Sequence, residues 1–174
     1  LTAAHGDFTK ARHLMRGIAM AELSFRDATP SDIPTIIELC HYGDMRGKDT
    51  PPLDPASLDD PRFRAAFDAI AADPAHRLIV AERAGEVVGT LQISFVPGLP
   101  NLGLKRGMLE NVHIRSDQRG SGLGTAMLTW AIERCREAGC GLVQLTSGKP
   151  RINAHRFYEK LGFVASHEGF KLRF

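Results

Sequence analysis

One segment constrains the fold more than any other: Val112-His113-Ile114-Arg115-Ser116-Asp117-Gln118-Arg119-Gly120-Ser121-Gly122-Leu123-Gly124-Thr125. It reads as the end of a strand, a glycine loop and the start of a helix. The helix that follows is predicted to carry an apolar stripe of Leu123, Met127, Trp130, Ala131, Cys135 and Ala138. Leu128 and Ile132 widen the stripe to suit a helix that covers a sheet, and Gly139 and Gly141 end it. Three glycines at alternate positions leave backbone N–H groups unshielded. With the positive end of the helix dipole, those donors suit a phosphate or diphosphate. Arg115 and Arg119 add formal positive charge at the same mouth. The lysine of a GxxxxGK[ST] nucleotide loop is absent, and Thr125 stands where a GxGxxG fingerprint has its last glycine. A glycine turn that only tightens a strand–helix junction is the plainer alternative.

The rest of the chain places this segment. Leu23–Arg26 alternates apolar and polar residues as a short strand. Thr29 or Ser31 is a candidate N-cap for a helix through Ile33, Ile36, Ile37, Leu39 and Cys40. Residues 43–61 contain Pro51, Pro52, Pro55 and Pro61 and read as loop. Five aspartates against Arg46 and Lys48 make that loop acidic, which favours a cationic or neutral acceptor if it lies near the site. A second helix carries Phe63, Ala66, Phe67, Ile70 and Ala71. Residues 78–96 read as a hairpin turning at Ala84-Gly85. A strand over 107–114 leads into the glycine loop. After the helix come a strand at Leu142–Thr146, a short helix near 153–161 capped by Gly162, and closing strands at Phe163-Val164 and Phe170–Phe174. The order β α α β β β α β α β β implies an α/β domain around one mixed sheet.

Composition excludes several classes. With 174 residues, 43% hydrophobic and 24% charged, the chain suits one soluble globular domain. No stretch approaches the ~18 apolar residues of a membrane-spanning helix. A net charge of +2 without a basic run argues against nucleic-acid binding. Cys40, Cys135 and Cys140 show no paired or metal-ligand spacing, so reduced thiols in a cytoplasmic protein are expected, with no metal. Residues 1–19 are set aside as an N-terminal extension, non-native or a leader, with the domain over 20–174 and Met20 as an internal start.

Two motifs together carry a resemblance. Arg119-Gly120-Ser121-Gly122-Leu123-Gly124 matches the R/Q-x-x-G-x-G/A signature of the GCN5-related N-acetyltransferase (GNAT) superfamily. Asn153-Ala154-His155-Arg156-Phe157-Tyr158-Glu159-Lys160-Leu161-Gly162-Phe163 resembles its second signature, a short helix ending in F-Y-x-x-x-G-F. Glu110–Ile114 is similar to the family's fourth strand and Phe25–Asp32 to its opening strand and turn; the likeness spans residues 22–174. The resemblance implies a single-domain α/β fold, a mixed splayed sheet with helices on both faces, and acetyl-CoA wedged between the fourth and fifth strands. It assigns the pyrophosphate to the backbone of Arg119, Gly120, Ser121, Gly122, Gly124 and Thr125. It assigns the pantetheine arm to the main chain of Val112 and Ile114, with Asn153 and Arg156 near the other side of the coenzyme.

The implied activity is direct acetyl transfer from acetyl-CoA to a primary amine, on a small molecule or a protein, in a ternary complex. The alternative is a catalytically silent acyl-CoA-binding or sensor module on the same fold. Glu110 is the candidate base or acceptor contact. Unbroken strand alternation would place it on the face of Val112 and Ile114, and opposite His113. Tyr158 is the candidate acid for the departing thiolate, since a phenol of pKa ~10 is protonated at neutral pH. His113, His155 and a nucleophilic cysteine are weaker candidates. The alternating apolar C-terminal residues, or the 1–19 extension, are expected to contribute to a homodimer.

Overall fold

The computed structural model describes residues 23–43 and 51–174, so the 1–19 extension and part of the acidic loop, with Asp44 and Asp49, lie outside the described residues. Nine elements follow in order: β1 (Leu23–Asp27), α1 (Ile33–Gly43), α2 (Pro61–Ala72), β2 (His76–Arg83), β3 (Glu86–Val96), β4 (Arg106–Ile114), α3 (Leu123–Glu137), β5 (Leu142–Leu145) and α4 (Ile152–Lys160). The strands form one mixed sheet in the order β1-β2-β3-β4-β5, antiparallel except for the parallel pair β4–β5. The predicted α/β class and hairpin are both present. Ala84 and Gly85 turn that hairpin with φ of 51° and 80°, the left-handed pair a tight two-residue turn requires.

Strand alternation sorts the layers. Ile79, Leu91, Ile93 and Leu109 point to one face, where they share a core with Leu123, Met127, Leu128, Ala131 and Cys135 of α3 and with Tyr158 of α4. The stripe read from the sequence is thus the buried one, each large side chain contributing about 1.5–3 kcal/mol. Val80, Thr90 and Ser94 are buried on the opposite face, which α1 and α2 cover. Gly107 lets α3 approach: a Cβ there would collide with Cys135 Sγ.

Two expectations fail here. Residues 163–174 contain no strand, and Phe170, Leu172 and Phe174 stand exposed. The 43–61 region is not all loop, because Pro55–Asp59 forms a 3₁₀ turn started by Asp54, whose side chain accepts from Ala56 N.

Candidate active site

The site begins at a β-bulge. Gln92 pairs with Glu110 and Thr90 with His113, so Asn111 and Val112 together oppose Leu91. Asn111 takes φ 51°, a left-handed conformation that asparagine tolerates better than most residues. The extra residue reverses strand parity. Glu110 therefore shares its face with His113, not with Val112 and Ile114, and the parity expected from unbroken alternation is corrected. His113 packs against Gly43 at the end of α1, and Val112 and Ile114 pack on the α3 core. Glu110 is exposed.

The bulge also opens the sheet. The last β4–β5 pair is Leu109 with Leu145, yet β4 runs on to Ile114. Beyond that pair β4 has β3 on one side and a cleft on the other. Arg115 N donates to Val88 O of β3 at 2.9 Å. Alternation then turns the main-chain groups of Ile114, and of Val112 before it, towards the cleft. The cleft widens into a cavity of about 440 Å³, lined among others by Glu110, Val112, Leu145, Thr146 and Tyr158.

Tyr158 is 8% exposed and belongs to the α3–α4 core, yet it also lines this cavity. Burial pushes its phenol above the ordinary tyrosine value, and the nearby Arg151 charge opposes this more weakly. The hydroxyl is therefore a proton-bearing group at neutral pH. Glu110 and Tyr158, read as acid–base partners, thus line one cavity, from opposite faces of β4.

The glycine loop lies at the start of α3. Gly120 and Gly122 adopt φ of 79° and 84°, and Gly122 is the N-cap. Among the described residues, the N–H groups of Gly120, Gly122, Gly124 and Thr125 have no acceptor. The Ser121 hydroxyl donates to Gln118 O at 2.6 Å and accepts from Leu123 N. Gly124 meets α4 closely, where a Cβ would lie 3.4 Å from the Phe157 ring. The two signature motifs therefore pack against each other. Of the two arginines read as phosphate charges, Arg115 is committed elsewhere: its guanidinium donates to Asp117 and Glu86 and holds Asp117 down to about 2. Arg119 remains at the loop, with Nε 3.4 Å from Ile114 O. Asn153 and Arg156 are exposed on α4 and do not line the cavity.

The minor candidates separate cleanly. His155 Nε2 lies 3.0 Å from Gly148 O and orders the turn before α4. Cys135 is fully buried and its thiol is pushed up to about 11, chiefly by burial, which leaves it a core residue. Sequence reading missed Asn111, Thr146, Arg151 and Lys171 in the cavity. An asparagine inside a strand carries no bulge signal, and Lys171 comes from a segment read as edge strand.

A sheet that parts between β4 and β5, with open N–H donors at a helix start, is the frame that the resemblance to the N-acetyltransferases implies. Residues 44–163 match the family model described as Acetyltransferase (GNAT) family. The chain is 32% identical over 143 residues to L-methionine sulfoximine/L-methionine sulfone acetyltransferase of Pseudomonas paraeruginosa, covering 82% of this chain and 81% of that protein. It is 34% identical over 113 residues to aminoalkylphosphonate N-acetyltransferase of Salmonella typhimurium, covering 65% and 73%. A solved structure described as a transcriptional regulator from Bacillus halodurans C-125 is 40% identical, with a TM-score of 0.77 over 87% of this chain and 99% of that one. The chain belongs to the acetyltransferase (GNAT) family. It is an acetyl-CoA-dependent N-acetyltransferase.

Proposed function

We propose that the cleft between β4 and β5 is where an acetyl group passes from acetyl-CoA to the primary amine of a small molecule. The observation that carries this reading is that Glu110 and Tyr158 line one cavity, which lies where β4 parts from β5. The open N–H groups of Gly120, Gly122, Gly124 and Thr125 hold the diphosphate, with Arg119 and Ser121 shaping the loop. The main chain of Val112 and Ile114 takes the pantetheine arm as an added strand. Asn153 and Arg156, on the exposed side of α4, bear on the outer part of the coenzyme. Both relatives named above are called acetyltransferases of small molecules, which supports a small-molecule acceptor.

The transfer needs two protons taken from the nitrogen and one given to the sulfur. Glu110 takes the proton from the acceptor's ammonium group, directly or through water, and frees the nitrogen lone pair. The amine attacks the thioester carbonyl carbon, the C–S bond breaks, and Tyr158 gives its proton to the departing sulfur. The attacking nitrogen gives up a second proton as the amide forms, passed through water to the Tyr158 phenolate, and Glu110 releases the first to solvent.

Phe170, Leu172, Phe174 and Val164 are exposed apolar residues close in sequence, and β5 is paired on one side only. These features support a homodimer that covers them. Cys40, Cys135 and Cys140 form no disulfide among the described residues, and we read the protein as cytoplasmic with reduced thiols. The test of the coenzyme site is a thermal shift. Coenzyme A and acetyl-CoA raise the melting temperature of the wild type by mass action. Gly122→Asp puts a side chain and a negative charge against the diphosphate and abolishes the shift. An unchanged shift in that variant overturns the assignment.

A further inference from the structure

The cavity that holds Glu110 and Tyr158 also holds two cations that acetyl transfer does not use. Arg151 precedes α4, and Lys171 lies in the closing segment; both line the cavity. Among the described residues, neither side chain has a hydrogen-bond or ion-pair partner. Their neighbours differ: Lys149 pairs with Glu168 at 3.1 Å. That pair ties the closing segment to the β5–α4 connection, and Gly169 stands within van der Waals reach of Thr146, where a Cβ would lie 3.8 Å from its methyl. Lys171 thus reaches the cavity that Arg151 lines, and among the described residues neither side chain forms an ion pair with Glu110, the carboxylate that shares it. Arg151 is near enough for its charge to act on the Tyr158 phenol.

The described part of the acidic loop does not offset them. Asp54 accepts from Ala56 N, Asp60 pairs with Arg62, and no aspartate of residues 51–61 lines the cavity. Residues 51–61 therefore lend no support to the preference for a cationic or neutral acceptor expected from that loop, and Asp44 and Asp49 lie outside the described residues. Two like charges sharing one cavity repel each other unless an anion joins them.

We infer that Arg151 and Lys171 recognise an oxyanion on the acceptor, so that the substrate class is a primary amine bearing a phosphonate, phosphate or carboxylate group. The amine nitrogen lies towards Glu110 and Tyr158, and the oxyanion lies between the guanidinium and the ammonium. A planar guanidinium offers paired donors and the lysine a point charge, a combination suited to such a group. Arg151 and Lys171 are specificity residues, and the inference rests on the proposed acetyl-transfer site.

The experiment compares two acceptors of equal chain length, an aminoalkylphosphonate and a neutral alkylamine, by thiol release from acetyl-CoA. Wild type is expected to favour the phosphonate at least tenfold in kcat/KM. Arg151→Gln and Lys171→Gln each lower that ratio by about 10- to 100-fold through KM for the phosphonate, the scale of a charge-assisted hydrogen bond. Arg151→Lys restores part of it. The KM for acetyl-CoA stays where it was. A wild type without preference for the anion overturns the inference and leaves the acetyl-transfer site standing. Equal losses for both amines, or a rise in the acetyl-CoA KM, also overturn it, because the residues then serve the fold or the coenzyme phosphates. If no amine elicits thiol release, the acetyl-transfer site itself fails and the inference with it. Should either variant misfold, wild-type inhibition decides. Methylphosphonate is expected to compete with the neutral amine and not with acetyl-CoA, and absence of that competition overturns the inference.

Discussion

Asn111 decides which way Glu110 faces, because its left-handed backbone offsets β4 by one residue against β3. The residue types of the candidate site were legible in the sequence: Tyr158 and the glycines come from the two motifs and Glu110 from the strand before them, and Glu110 and Tyr158 line one cavity. Their geometry was not, since a polar residue in a strand looks the same whether or not it bulges. If Glu110 receives the amine proton, Glu110→Gln lowers kcat/KM by roughly 10²–10⁴ and leaves acetyl-CoA affinity almost intact. Steady-state kinetics with calorimetry of coenzyme binding checks this; an unchanged kcat with weaker amine binding makes Glu110 a binding residue. Tyr158→Phe is expected to lower kcat by roughly 10² or more, and least for acetyl donors with a more acidic leaving thiol. Burial raises the Tyr158 pKa, so the donor keeps its proton through neutral pH. The part of the alkaline rate loss that belongs to it lies above the ordinary tyrosine range and vanishes in the phenylalanine variant. Loss of stability with no loss of rate would leave Tyr158 a core residue only.

Elements depend on a few polar anchors. Asp32 is buried at the start of α1, where its carboxylate accepts from Arg26 at 2.7 Å and from Thr29 N at 2.7 Å. The Arg26 hydrogen bond, chiefly, lowers its pKa from 3.8 to about 2. A depressed carboxylate pKa stabilises the fold above the unfolded value, and that contribution is lost as pH falls from about 4 towards 2. Asp32→Asn is expected to cost about 2 kcal/mol at pH 7 and to flatten the stability loss in that acid window, as urea titrations at several pH values would show. An unaltered acid slope would rule the pair out as an anchor. Gly107→Ala, pressed against Cys135 Sγ, is expected to cost about 1–3 kcal/mol in the same titration. The helices, the hairpin and the order of the first five strands could be read from periodicity and turn residues. The closing strands could not. Alternating Phe170, Leu172 and Phe174 record a capacity to pair, but a strand also needs a partner edge, and residues 163–174 pair with none among the described residues.

At the scale of the molecule, that unused alternation and the one-sided β5 predict a dimer in solution. Light scattering at micromolar concentration is expected to give twice the chain mass, and Phe170→Ser with Phe174→Ser the single mass; a monomeric wild type would contradict the reading. The glycine loop sits beside Ile114 at the end of β4, and the Glu110–Tyr158 cavity lies where one parallel strand pair parts after Leu109 and Leu145. Coenzyme binding alone would also suit a silent acyl-CoA sensor, so the decisive quantity is turnover that depends on the amine. The direct measurement is release of free coenzyme A thiol from acetyl-CoA across a panel of primary amines, with the product followed by mass. Amine-dependent thiol release, matched one for one by N-acetylated amine, is the predicted result. A wild type stabilised by acetyl-CoA that releases no thiol with any amine would contradict the account.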